Sequence, residues 1–133
     1  MSFQWLQMRI TEEKERAERE INILNRLPSA LDELRTALAD CVETYNQAFG
    51  EGRAKLETVG GAVHIMADEA QVNISLDPPL PGFRVDQGAE RLAIEVGILP
   101  GGNLYFREAD KYITLEEMTR RILDRALFPK LKD

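Results

Sequence analysis

Leu24, Leu27, Leu31, Leu34, Leu38, Cys41, Tyr45 and Ala48 recur at alternating steps of three and four residues, the spacing of one face of an α-helix. Upstream, Ile10, Ala17, Leu24, Leu31, Leu38 and Tyr45 fall at seven-residue intervals, so one seam can run through the charged segment 11–20 into the Leu-rich part. Glu12 with Arg16 and Glu15 with Arg19 stand four apart with the acid first, the better orientation on a helix, at a few tenths of a kcal/mol each. Pro28 breaks the pattern, because a proline inside a helix removes a hydrogen bond and clashes with the preceding turn at a cost of about 3 kcal/mol or more. The sequence therefore predicts helix from about Phe3 to Arg26 and again from Ser29 to Phe49, kinked or broken at Pro28 and ended by Gly50 and Gly52. A straight version is on the order of 70 Å long at 1.5 Å per residue, more than one small domain can cover, so some of it must project or find a partner.

After Gly52 the period changes from helical to alternating. Val63 and Ile65, then Val72, Ile74 and Leu76, then Leu92, Ile94, Val96 and Ile98 alternate with polar or small residues and read as half-buried strands. Pro78, Pro79 and Pro81 make 77–82 too proline-rich for a central strand and predict an extended crossing loop; Phe83 to Asp86 adds a short edge strand. Pro100-Gly101-Gly102 predicts a three-residue hairpin with Gly102 left-handed. Its register pairs Leu99 with Asn103, Val96 with Phe106 on the inside and Glu95 with Arg107 on the outside, with Tyr105 lying across Gly97. Thr114 and Glu117 form a capping-box pattern, followed by Leu115, Met118, Ile122 and Ala126 at helical spacing up to Pro129.

The expected architecture is a single α+β domain over 1–133. A helical region spans 1–50, an antiparallel sheet of about four to five strands spans 53–108, and a C-terminal helix at 114–128 packs on the sheet. Residue count and composition suit this: 133 residues with 44% hydrophobic and 30% charged can bury a core without metal or disulfide staples.

Charge narrows the function. A net charge of −6 works against nucleic-acid binding, which depends on clustered bases. The cluster Arg120, Arg121, Arg125, Lys130 and Lys132 lies with Glu116, Glu117 and Asp124, an arrangement expected of a solvated helix face. Lone Cys41 within the stripe reads as a small buried hydrophobe in a reducing compartment. With no hydrophobic leader from Met1 to Ile10 and no apolar run of membrane-spanning length, the expectation is a soluble cytoplasmic protein without membrane contact.

No residue set carries catalytic, metal or cofactor chemistry. His64 is the only histidine and has no neighbouring ligands at metal-binding intervals; Gly60-Gly61 and Gly101-Gly102 lack the Lys-Ser or further glycines of a phosphate loop. The leading expectation is a non-enzymatic, self-associating interaction module, a homo-oligomer with the dimer favoured. Its contacts are expected from Trp5, Leu6, Met8, Ile10, Leu24, Leu31, Leu38, Val42 and Phe49. The alternative is a small-molecule-binding domain or minor enzyme using His64, Glu95, Tyr105 and Arg107 on the outer sheet face, which requires a helix over that face.

Overall fold

Proline 28 does not stop the first helix. In the computed structural model, which describes residues 3–129, α1 runs unbroken from Gln4 to Phe49, 46 residues, through Pro28. Of the two expectations, a kink or a break, the break is absent because the residues around the proline are held: Leu27, Ala30, Leu31 and Leu34 are all buried against the sheet, while Pro28 itself faces solvent. Only the Leu24 carbonyl loses its helical donor, and Leu24 is exposed, so water can serve it. The helix ends at Gly50, whose φ of 130° a side chain would resist and whose N–H donates to the Asn46 carbonyl at 2.8 Å.

Among the described residues seven strands follow, β1 Ala54–Val59, β2 Ala62–Ala67, β3 Ala70–Asp77, β4 Gly82–Gln87, β5 Glu90–Ile98, β6 Leu104–Glu108 and β7 Lys111–Ile113, then α2 Leu115–Leu127. They form one antiparallel meander in sequence order, which corrects the expectation of four to five strands. The Phe83–Asp86 segment is central β4, not an edge, and the proline-rich stretch is a tight connection between neighbours β3 and β4, not a crossing loop. The prolines are accommodated because they occupy the turn; the Pro81 carbonyl still accepts from Val96 N–H at 2.9 Å. The β5–β6 hairpin keeps the expected register, Val96 with Phe106 and Glu95 with Arg107, and Gly102 is left-handed at φ 88°.

Alternation sends Val63, Ile65, Val72, Ile74, Phe83, Val85, Ile94 and Val96 to one face, where they are buried with Leu34 and Leu38 of α1 and Met118 and Ile122 of α2. Both helices therefore cover the same side of the sheet, and among the described residues the other side carries no helix. α1 contacts β1, β3 and β5 and so crosses the strands, while α2 lies over β2, β3 and β4. The Asn46 side chain clamps the crossing at one end, accepting from Ala54 N–H and donating to the Ala54 carbonyl, each at 2.9 Å. The Thr114–Glu117 capping box starts α2 as expected. Gln87 ties the middle of α2 to β4, donating to the Ile122 carbonyl at 2.7 Å.

Two strand glycines are fixed by close approach. A Cβ on Gly82 would overlap the Ile94 backbone carbonyl, and one on Gly97 would overlap the Tyr105 ring. Backbone cannot yield as a side chain can. Gly82→Ala should therefore cost more than Gly97→Ala, whose penalty falls within about 1–3 kcal/mol. Urea unfolding of the two variants checks this, and equal stabilities would contradict the close approach at Gly82.

Candidate functional site

Half of α1 has nothing to lie on. Residues 3–22 are exposed without exception, and Leu27 is the first buried position. At about 1.5 Å per residue, residues 4–26 form a rod of roughly 35 Å. Arg26 marks the point of departure, donating to the Gly102 carbonyl on the β5–β6 hairpin. The rod is not uniformly polar: Phe3, Leu6, Ile10, Ile21 and Leu24 are 42–56% exposed and continue the stripe that Leu27, Leu31 and Leu34 bury further on. Between them runs a lattice of ion pairs, Arg9 to Glu12 at 2.7 Å and Arg16 to Glu13 at 2.7 Å and to Glu20 at 3.1 Å. Arg16 thus turns to Glu13 and Glu20 instead of the expected Glu12, since several acids stand within one helical turn of it.

The interaction residues expected from sequence divide at Pro28. Leu31, Leu38 and Val42 are buried in the protein's own core, whereas Trp5, Leu6, Met8, Ile10 and Leu24 lie exposed on the rod and Phe49 is exposed at the other end of α1. Phe49 belongs to a second surface that sequence reasoning missed. Its ring centroid stands 5.0 Å from Tyr45 and 6.1 Å from Phe128, at one end of an open groove between α1 and α2 that is also lined by buried Leu123 and by half-buried Leu127 and Cys41. The available signal was Phe128, directly after the apolar stripe of α2.

The outer sheet face holds the alternative candidates and splits them. Glu95 and Arg107 pair at 2.8 Å, and that hydrogen bond, then the Glu95 charge, holds the Arg107 guanidinium above its ordinary pKa. Tyr105 covers Gly97 and meets Tyr112 edge-on at 5.3 Å. His64 stands apart: its row continues through Asn73 and Asp86 to Arg91, so it lies about 14 Å across and 13 Å along the strands from Glu95. Neither helix covers these residues, and no group of acids, histidine or cysteine that could hold a metal occurs among the described residues.

Two members of the C-terminal basic cluster, Arg121 and Arg125, are engaged within the fold. Arg121 reaches Glu90 at 3.0 Å and Glu108 at 3.2 Å, and Arg125 also pairs with Glu90. Burial pulls the Arg121 pKa down, but the Glu90 hydrogen bond and the charges of Glu108 and Glu90 outweigh it and leave it raised. Lys130 and Lys132 lie outside the described residues.

The rod has a pH signature. The hydrogen bond and charge of Arg16 hold the Glu13 carboxyl below its ordinary value of 4.5. A depressed carboxyl stabilises the helix above its unfolded pKa and loses that contribution as pH falls through the folded one. Dilute protein should therefore lose a small part of its helicity around Glu13 as the pH falls below about 4.5, and Glu13→Gln should flatten that step; circular dichroism that is identical for both proteins would contradict it.

Comparison of the chain with protein-family models, with curated proteins and with solved structures finds no match. The surfaces themselves carry the functional argument.

Proposed function

We propose that this protein is a non-enzymatic interaction module that self-associates, as a homodimer, through the exposed N-terminal half of α1. The single observation behind the reading is the apolar stripe of Phe3, Leu6, Ile10, Ile21 and Leu24 on a helix that the sheet does not reach. Isolated helical segments are marginal in water, and most helical stability comes from tertiary packing of an apolar face. The local ion pairs add only about 0.2–0.5 kcal/mol each. Burying this stripe on another chain supplies what they do not.

Magnitudes set the kind of association. Five large apolar side chains from each of two copies, about half buried, contribute on the order of 10 kcal/mol, while association costs roughly 4–15 kcal/mol in lost freedom. The two are comparable, so the dimer is reversible and concentration-dependent. A reducing, cytoplasmic setting accords with a lone half-buried cysteine. No helix of the described residues is long and apolar enough to cross a membrane.

The ligand-binding alternative has less support. Glu95 and Arg107 satisfy each other, His64 is remote from both, and the helix that would roof a pocket lies on the opposite face.

Sedimentation equilibrium over a wide concentration range should give a dimer that persists at high salt. Leu6→Asp with Ile10→Asp should return the monomer mass and leave the melting of the sheet unchanged, because both positions are exposed. A wild-type monomer at every concentration, or a dimer indifferent to these substitutions, would overturn the proposal. Leu31→Asp and Leu38→Asp are unsuited to this test, since they place a charge in the core.

A further inference from the structure

The order of residues along the rod carries the polarity of the pairing, an inference that rests on the self-association proposed above. Its apolar stripe, Phe3, Leu6, Ile10, Ala17, Ile21 and Leu24, has successive steps of 3, 4, 7, 4 and 3 residues and reads the same in both directions. One flank carries Arg9, Glu13, Arg16 and Glu20, with steps of 4, 3 and 4. That spacing is also the same in reverse, but the sign of every charge inverts.

We propose that the occupant of this face is a second copy of the chain whose α1 runs antiparallel, with the two-fold axis passing between Glu13 and Lys14. Phe3 of each copy then stands level with Leu24 of the other, Leu6 with Ile21 and Ile10 with Ala17. Ile10 and Ala17 lie mid-stripe, a large residue against a small one, while Leu6 and Ile21 sit on opposite flanks and interdigitate. On the charged flank Arg9 comes beside Glu20 of the second copy and Arg16 beside Glu13, so each base meets an acid.

The parallel in-register arrangement fails on the same residues. It sets Glu13 against Glu13 and Glu20 against Glu20 across the seam, and it brings Arg9 beside Lys14 of the other copy, where like charges repel. Length agrees with the antiparallel choice. The exposed run gives way to half-buried Ile23 and then buried Leu27, and a partner helix in this register reaches Leu24 with its Phe3, three residues before Leu27. The pairing uses the whole exposed rod. Trp5 and Met8 lie off the seam, Met8 being two residues from both Leu6 and Ile10 and so on the far side of the helix.

Disulfide trapping tests the polarity. In a Cys41→Ala background, Ile10→Cys and Ala17→Cys are prepared separately and as a mixture, oxidised, and compared with the sedimentation mass of the unmodified chain. Antiparallel pairing predicts at least about tenfold more cross-linked dimer in the mixture than in either variant alone, because like positions are then seven residues, about 10 Å, apart, beyond the roughly 7 Å that a disulfide tolerates. Efficient cross-linking of each variant with itself would show a parallel pair and overturn the polarity while leaving self-association standing. A dimer by sedimentation that cross-links in no combination would overturn the seam. A monomer by sedimentation would remove the functional reading and this inference together.

Discussion

The length of α1 against the width of the sheet governs this structure. Seven strands make six spacings, about 29 Å at 4.8 Å each, whereas 46 helical residues extend about 70 Å. The buried half, beginning at Leu27 and ending near Tyr45, is close to the width it crosses. The other half has no sheet beneath it. Because the helix is continuous at Pro28, the surplus cannot fold back to cover itself.

The one-sided sheet follows from the same layout. α1 crosses the strands and α2 fills the area beside it, so a single face receives all the helical cover. The bare face compensates locally: Tyr105 lies over Gly97, Glu95 pairs with Arg107, and Arg84 with Asp77. These contacts satisfy particular polar and glycine positions in place and leave the apolar rod as the larger uncovered apolar surface.

The elements with strong local chemistry were legible in the sequence. The β5–β6 register followed from a glycine hairpin, α2 from its capping box, and the docked half of α1 from its leucines. Strand β1 was not, because Leu56 is its only large inward apolar residue, and β7 is three residues entered through Ala109 and Asp110, both left-handed without a glycine to announce them. Continuity at Pro28 was left open against a break for another reason: local propensity opposes it, and the burial of Leu27, Ala30 and Leu31 on strands far away in sequence overrides the proline. In the candidate site, the stripe was visible but not its division. Leu31, Leu38 and Val42 carry the same spacing as Leu6, Ile10 and Leu24, and only the position of the sheet decides which are core and which remain exposed.

The most direct measurement of the central claim is amide hydrogen exchange along α1 as a function of protein concentration. If a second copy completes the exposed half, amides of residues 7–26 should exchange rapidly in dilute protein and become protected as concentration rises, while those of 30–49 stay protected throughout. Protection of the two halves that is independent of concentration would contradict the account, since the exposed stripe would then be stable without a partner.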